Sequence, residues 1–319
     1  MIPVHQPTNS DDRDPIRVGL AGCGRLAEVG YLPAFRQAGG VKLAAVADFN
    51  RSRCREIAPG IPAHGTIDAL LKAGGIDALV ISTPTRFHLP HARSAADAGL
   101  SALVEKPPAL TLGEACALHR LKPPPWIGFN RRFDPEIARL KDNLPPDGNI
   151  HLELHSRISS WNPFDMQDDA LLDLAPHLID LARWLTASEI LSARALILNE
   201  HRVEFELKLE WGYATILCSN HSYYRERIVV KDAQGRVRGS YNRGGLVLGI
   251  GARLQPKREN PLVRLMIRQL EAFGLAVRGL LNGAPLATSA DGLAVMSVID
   301  AVRRSATQGG AKCGLQIVR

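Results

Sequence analysis

The feature that most constrains the fold is a pair of closely spaced glycines between an apolar run and a segment of helical periodicity. The apolar run IRVGLA (16–21) reads as a buried strand, and the turn after it has the form G-x-G-x-x-A, in the sequence Gly22-Cys23-Gly24-Arg25-Leu26-Ala27. The first glycine of this pattern permits a tight turn, the second lets a pyrophosphate approach the backbone, and the small third residue allows close helix–strand packing. Phosphates would lie on the free N–H groups at the start of the helix. Glycine-rich turns are common, but the order strand, turn, helix favours a dinucleotide site over an ordinary turn.

An acidic residue at the end of the second predicted strand strengthens this interpretation. The run VKLAAVA leads to Asp48, which lies 21 residues after Ala27. A carboxylate at this position can bind both ribose hydroxyls of an adenosine, and it repels a 2′-phosphate. The alternative is that Asp48 is a helix N-cap or turn residue. Arg51 is close enough in sequence to soften a preference for NAD over NADP.

Short apolar runs alternate with amphipathic segments over the first part of the chain. Continuous apolar strands that alternate with helices indicate a parallel sheet covered on both faces. We therefore predict an α/β fold with a doubly wound Rossmann domain over residues 15–130, preceded by a disordered lead-in over residues 1–14. The segment Leu26 to Gly39 is expected to form its first helix.

The pattern changes beyond residue 130. Segments such as IHLELHSRISS and VEFELKLEWGYATILCSN alternate in polarity and are separated by turn residues, which is typical of antiparallel strands. Helical stretches precede and follow these strands. We predict a second, α+β domain over residues 131–319, built on a largely antiparallel open sheet that binds substrate and pairs subunits.

Composition excludes several classes of protein. The net charge is +7, but the basic residues are scattered, so we expect a solvated basic surface and no nucleic-acid partner. No run reaches the ~20 apolar residues of a membrane helix, and the first residues lack a secretory signal, so we expect no membrane partner and a cytoplasmic protein. The five cysteines are far apart without a CxxC pair, so no metal site is expected.

The sequence resembles the glucose-fructose oxidoreductase, inositol dehydrogenase and rhizopine-catabolism family of oxidoreductases (Gfo/Idh/MocA). The resemblance spans nearly the whole chain, and the tripeptide Glu105-Lys106-Pro107 after a predicted strand is its most specific part. The other segments that carry it are GLAGCGRLAEVGYLPAF, STPTRFH, VEKPPALTLGEA, GFNRRFDP, LLDLAPHLIDLARWL and ADGLAVMSVIDAVRRSA. Such a resemblance implies a Rossmann domain that binds NAD, or NADP, and a second domain that completes the active site.

The resemblance also implies catalytic residues. Lys106 would lie between nicotinamide and substrate, and Glu105 would face the cofactor ribose. An aspartate and a histidine would complete the site, and they match Asp173 and His177, which are four apart and share one helix face. By spacing alone Lys106 could be a surface lysine, and the Asp173–His177–Asp180 set could be a surface pair or, less convincingly, zinc ligands. The chain has DMQDDALLD where the family commonly carries a glycine run, so we expect a pocket of different shape.

Weaker expectations concern residues near these motifs. His88 is expected to order its loop, and Arg132 either faces the cleft or anchors the two domains together. The residues expected on the cofactor side, besides those above, are Arg25, Leu26, Ser82, Thr83, Pro84, His88 and Asn130; those on the substrate side are Arg132, Trp161 and Asn162.

The most consistent hypothesis is an NAD(P)-dependent oxidoreductase that moves a hydride between nicotinamide and a polyhydroxylated small molecule, such as a sugar, cyclitol or nucleotide sugar. Lys106 and His177 would handle the hydroxyl proton, and the oxidation rate would rise with pH through a group near neutrality. The alternatives are a non-catalytic cofactor-sensing regulator on the same fold and an NAD-using glycosidase. A homodimer or homotetramer is expected, because the antiparallel sheet could pair across a two-fold axis.

Asp48 predicts the choice of cofactor. We expect calorimetry on the wild type to show tighter binding of NAD than of NADP, because the carboxylate accepts ribose hydroxyls and repels the 2′-phosphate. Equal or tighter binding of NADP would count against this role for Asp48.

Overall fold

A computed structural model of the chain describes residues 14–157, 168–244 and 260–316. Within them the chain forms two seven-stranded sheets. Their strands are β1 (Ile16–Ala21), β2 (Val41–Ala47), β3 (Ala63–His64), β4 (Ala78–Ile81), β5 (Ser101–Val104), β6 (Trp126–Ile127), β7 (Gly148–Arg157), β8 (Ile190–Leu198), β9 (Arg202–Leu209), β10 (Gly212–Ser219), β11 (His221–Asp232), β12 (Val237–Gly244), β13 (Ala287–Thr288) and β14 (Cys313–Gly314).

Ten α-helices connect and cover the sheets in the described part of the chain. They are α1 (Leu32–Phe35), α2 (Arg51–Ile57), α3 (Ile67–Ala73), α4 (His88–Asp97), α5 (Leu112–His119), α6 (Pro135–Ala138), α7 (Ala170–Asp173), α8 (Ala175–Thr186), α9 (Pro261–Val277) and α10 (Ser289–Thr307). Several begin after a side chain that accepts a backbone hydrogen bond from the first turn, which satisfies one of the free N–H groups there. Asn50 does this for α2, Thr66 for α3, Thr111 for α5 and Thr288 for α10.

The first sheet is the predicted Rossmann sheet. Its strand order is β13-β6-β5-β4-β1-β2-β3, and all pairs are parallel except β13 with β6. Strand β4 is buried along its whole length, as the continuous apolar run predicts. Helices α3, α4 and α5 contribute buried residues to the apolar cluster on one face of this sheet. The predicted doubly wound fold is confirmed.

The first helix after the glycine turn differs from the regular helix predicted over 26–39. Residues Ala27–Tyr31 form a π-helix, and α1 follows it as a single α-helical turn. The Leu32 N–H donates a hydrogen bond to the carbonyl oxygen of Ala27, five residues earlier, which is the wider spacing of a π-helix. Pro33 explains the departure, since proline has no N–H to donate to an i−4 carbonyl.

The second sheet is mainly antiparallel. Its order is β12-β11-β7-β10-β9-β8-β14, and only β7 with β10 is parallel among the described pairs. Strand β9 alternates buried and exposed positions, which places one face on a core. The buried apolar residues of α8 and α10 belong to the same cluster as those of this face. The predicted open α+β unit is therefore confirmed.

Two elements beyond residue 130 belong to the first sheet and its cover. Strand β13 pairs with β6 in the first sheet, and α9 packs on that sheet's second face through Leu265, Met266 and Leu270. The apolar side of α9 covers Val18 of the central strand and its neighbours, which would otherwise face solvent. Residues 131–319 are thus not one contiguous unit, because part of this stretch returns to complete the Rossmann core.

A buried ion-pair network connects Arg132 to the helices α8 and α10. The Arg132 guanidinium donates to both carboxylate oxygens of Asp180 on α8, with its Nε 2.8 Å from Oδ2. It also lies 3.3 Å from Asp291 at the start of α10. Asp180 has no exposed surface, and burial raises its pKa to about 6 although Arg132 acts in the opposite direction.

None of the helices in the described chain is long and apolar enough to cross a membrane.

We expect the substitution Arg132→Ala to destabilise the fold strongly, because it leaves the Asp180 carboxylate buried without its partner. Breaking such a pair costs about 3–5 kcal/mol of unfolding free energy. Urea denaturation measures this, with Arg17→Ala as the control. Arg17 pairs with Asp77 at the surface, where its side chain is 46% exposed, and we expect at most about 1 kcal/mol there. Equal effects of the two substitutions would contradict the structural role of Arg132.

Candidate active site

A cavity of about 570 Å³ lies at the carboxyl ends of the parallel strands β1, β2, β4 and β5. Helices α7 and α8 and residues of the second sheet close its other side. In open α/β sheets ligands bind at this edge of the sheet. Most of the residues predicted for the site line the cavity: Gly22, Gly24, Arg25, Leu26, Asp48, Ser82, Thr83, Pro84, His88, Glu105, Lys106, Asn130, Asp173 and His177.

The glycine turn has the geometry that its sequence predicts. Gly22 has a φ of +94°, and a Cβ there would lie 2.5 Å from the Ser82 carbonyl oxygen, so no other residue fits without strain. A Cβ on Gly24 would meet no atom within 4 Å, which leaves open space for a ligand beside the backbone. Ala27 is fully buried. The turn therefore fits a pyrophosphate.

Asp48 is fixed by the backbone around it. Its Oδ2 accepts the Cys23 N–H and its Oδ1 accepts the Asn50 N–H, both at 2.8 Å. The helix cap itself is Asn50, so Asp48 is not the N-cap of α2. Two backbone bonds leave lone pairs of the carboxylate for ribose hydroxyls.

Arg51 does not line the cavity, contrary to the prediction. Its guanidinium donates to the Ala63 carbonyl oxygen of β3 at 3.3 Å.

The strand β5 ends in the Glu105–Lys106–Pro107 tripeptide. Glu105 is buried, accepts a 2.5 Å hydrogen bond from the Tyr31 hydroxyl, and accepts the Lys106 N–H at 3.0 Å. Burial raises the pKa of Glu105 and also that of Tyr31. Tyr31 lies in the π-helix that follows the glycine turn. These bonds connect the lysine's backbone to the phosphate side of the cavity.

Lys106 meets Asp173 across the cleft. Its Nζ donates to the Asp173 Oδ1 at 2.9 Å and to the Asp173 carbonyl oxygen at 2.8 Å. Both side chains are only partly buried, with 19% and 15% of their surface exposed. An ammonium has three N–H groups, so one remains for a ligand.

His177 lies one turn further along, on α8, and lines the same cavity. Burial lowers its pKa well below 6.5, and the positive charges of Arg131 and Lys106 add to the effect. The imidazole is therefore neutral at pH 7 and able to accept a proton. Desolvation disfavours the charged form of this imidazole. The expected rise of the oxidation rate through a group near neutrality stays a prediction.

Three lining residues each carry a buried polar atom that lacks a hydrogen-bond partner among the described residues. These atoms are the Ser82 Oγ, the Asn130 Oδ1 and the His177 Nδ1. Unpaired buried polar atoms are uncommon in folded proteins. Three such atoms in one cavity fit a site whose ligand supplies the missing partners, and the residues present fit a dinucleotide beside a polar substrate.

The loop after β4 is ordered by His88. The ring nitrogens lie 2.8 Å from the carbonyl oxygens of Thr83 and Pro107, and so the imidazole links the loop after β4 to the loop that carries Lys106. Burial lowers its pKa to about 4. This placement agrees with a role in ordering the loop.

Arg132 and Asp180 are excluded from the substrate side. The Arg132 side chain does not line the cavity, and Asp180 and Asp291 occupy its guanidinium. It therefore anchors helices, which was the alternative interpretation of the sequence. Trp161 and Asn162 lie outside the described residues.

Among the polar residues of the cavity that sequence reasoning missed are Arg131, Arg243, Asp168 and Tyr224. Arg131 forms an ion pair with Glu226 at 2.8 Å, and Arg243 pairs with Asp134 at 2.9 Å. Arg131 lies beside the predicted Asn130, but the others stand in no motif, and only the tertiary fold brings them to the cavity.

No group of three or more metal-ligating side chains occurs within residues 14–157, 168–244 and 260–316.

The glycine turn and Lys106 lie at the carboxyl edge of the first sheet, and Asp173 and His177 line the same cavity from the opposite side. Over residues 16–122 the chain matches the oxidoreductase family with an NAD-binding Rossmann fold. Inositol 2-dehydrogenase of Rhizobium meliloti (strain 1021) is 30% identical over 329 aligned residues, which cover 92% of this chain and 97% of that protein. The chain belongs to the Gfo/Idh/MocA family of oxidoreductases, and the predicted family and NAD cofactor are confirmed.

Further comparisons agree with this assignment. The rhizopine catabolism protein MocA of Rhizobium meliloti is 33% identical over 184 residues, 54% of this chain and 58% of that protein. A myo-inositol dehydrogenase structure from Corynebacterium glutamicum ATCC 13032 superposes with a TM-score of 0.77 at 19% identity, covering 95% of this chain and all of that one. The myo-inositol dehydrogenase of Lactobacillus casei in complex with NAD(H) and myo-inositol gives a TM-score of 0.74 at 17% identity, covering 96% of this chain and 98% of that one. At these identities the structures show a shared fold.

We expect NMR of labelled imidazoles to show that His177 stays neutral until well below pH 6.5. In the unfolded chain it should titrate near the ordinary value of about 6.5. The spectrum of His177→Gln identifies the resonance, and the protein in urea is the control. A folded-state midpoint near 6.5 would contradict the burial argument.

Proposed function

We propose that the protein is an NAD-dependent dehydrogenase of a polyhydroxylated small molecule, with cyclitols and sugars as the first candidates. The observation that carries the proposal is the contact of Lys106 with Asp173 beside a neutral His177 in one cavity. The inositol dehydrogenases among the relatives and structural neighbours support the substrate class.

The glycine turn and Asp48 would hold the pyrophosphate and the adenosine ribose, and the loops after β4 and β5 would flank the nicotinamide. When bound, the nicotinamide supplies the hydride acceptor. The protein's part is orientation and proton handling.

Lys106 and His177 are proposed to act on one substrate hydroxyl. The free N–H of the Lys106 ammonium hydrogen-bonds the hydroxyl oxygen and lowers the hydroxyl's pKa. Asp173 holds the ammonium in place through two bonds. His177, neutral and facing the cavity, takes the proton as the carbon is oxidised, which is general-base catalysis.

Pairing of subunits is proposed through the open face of the second sheet. Leu191 and Leu196 of β8 and Tyr213 of β10 are 44–54% exposed there. Exposed large apolar side chains can mark an interface. A homodimer or homotetramer would cover them.

The substitutions Lys106→Ala and His177→Ala test the proposal. Each should lower kcat for NAD reduction by about 10²–10⁴-fold on a substrate that the wild type oxidises, because each removes a group that handles the hydroxyl proton. Calorimetry should find NAD affinity almost unchanged in His177→Ala. His201→Ala is the control, since that side chain is 48% exposed and outside the cavity, and its kcat should stay within about twofold.

Two results would count against this assignment. A near-normal kcat in His177→Ala would leave the histidine a structural residue. Product analysis that finds a hydrolysed glycoside without net NADH would favour a glycosidase, and NAD binding without turnover of any cyclitol or sugar would favour a regulator.

A further inference from the structure

Asp168 is a carboxylate of the cavity that the proposed proton transfer does not use. It precedes α7 and lines the cavity together with Lys106 and Asp173. Its Oδ2 accepts a 2.9 Å hydrogen bond from the Thr85 hydroxyl, on the 3₁₀ turn after β4. Its neighbour Asp169 caps α7 through the Leu172 N–H, so the backbone at this point is anchored. The carboxylate is thereby fixed at the cleft between the two parts of the molecule.

Three cations that line the cavity are paired with other carboxylates. Lys106 is paired with Asp173, Arg131 with Glu226 and Arg243 with Asp134. Within the part of the chain that the structure describes, no lysine or arginine forms an ion pair with Asp168. Burial raises the pKa of Asp168, although the Thr85 hydrogen bond and the charge of Lys106 act in the opposite direction. Asp168 is therefore a cavity carboxylate that has no lysine or arginine ion-pair partner among the described residues.

Such a carboxylate can accept a hydrogen bond from a ligand. It offers about four acceptor sites, and Thr85 occupies one of them. The unpartnered Nδ1 of the buried His177, in the same cavity, is independent evidence that a polar ligand completes this region. A neutral polyol presents several hydroxyl donors, whereas a carboxylate or phosphate group there would face a like charge in a partly buried space.

We propose that Asp168 is a specificity-determining residue, which accepts a hydrogen bond from a substrate hydroxyl beside the reacting carbon and disfavours substrates with an anionic group there. This inference rests on the proposed dehydrogenase function and narrows its substrates to uncharged polyols. Thr85 positions the carboxylate and is not itself the selective group.

The test compares Asp168→Asn with Thr85→Val on matched neutral and anionic compounds. The panel contains myo-inositol and the pairs glucose with glucuronate and galactose with galacturonate, each with NAD. The wild type should prefer the neutral member of a pair. Asp168→Asn should raise KM for the neutral substrate about 10-fold or more, since a hydrogen bond to a charged group contributes about 1.5–3 kcal/mol. It should change kcat little and lower the neutral-to-anionic ratio of kcat/KM at least about 10-fold.

Thr85→Val distinguishes substrate contact from a purely structural bond. It keeps the carboxylate, so the neutral-to-anionic ratio should remain that of the wild type. If both variants raise KM equally and leave the ratio unchanged, Asp168 only ties the two loops together and the proposal is overturned. A wild type that prefers the anionic compounds overturns it as well.

Failure of the dehydrogenase hypothesis gives a different result. If no compound is oxidised, calorimetry measures binding of the neutral compounds to the NAD-loaded protein. If the neutral compounds bind and Asp168→Asn weakens that binding about 10-fold, Asp168 contacts the ligand but the proposed reaction is wrong. If they do not bind, both proposals are wrong.

Discussion

The contact between Lys106 and Asp173 is the interaction on which the site depends. Lys106 follows the parallel strand β5, and Asp173 ends a helix on the other side of the cleft, 67 positions later in the chain. A partly buried ion pair contributes little net stability, because desolvation offsets most of the attraction. Its consequence is positional: two of the three ammonium N–H groups are fixed on Asp173, and the third direction is left for a ligand.

Rigid supports surround this contact. Tyr31 and the backbone of Lys106 hold Glu105, while His88 joins the two loops that flank the nicotinamide position. Behind α8, Arg132 ties the helix that carries His177 to α10. These groups are buried and mutually bonded, whereas Ser82, Asn130 and His177 each keep an unpartnered buried polar atom at the cavity, where a ligand can reach it.

Most strands of the first sheet could be predicted from the sequence. The addition of β13 to its edge and of α9 to its second face could not. Strands β1, β4 and β5 are continuous apolar runs, and that pattern is sufficient to identify buried parallel strands. Strand β13 has only two residues, and α9 shows an amphipathic pattern that would suit many surfaces. Their return to the Rossmann core follows from the apolar face left uncovered there, which no local pattern encodes. The π-helix could be predicted only in part. Pro33 disfavours a regular α-helix there, but the sequence does not specify which helix forms instead.

The sequence by itself determined the position of those site residues that depend only on adjacent strands and turns. The glycine turn, Asp48 at a strand end and Lys106 after β5 need only local backbone geometry to reach the carboxyl edge of the sheet. The tertiary structure decided the rest: that Arg132 pairs with Asp180, 48 positions away, and that Asp168 meets Thr85, 83 positions away. It also decided that His177 is neutral, because burial and nearby cations set its pKa. Charge pairing and desolvation depend on distances through space, and these exist only once the two sheets have packed together.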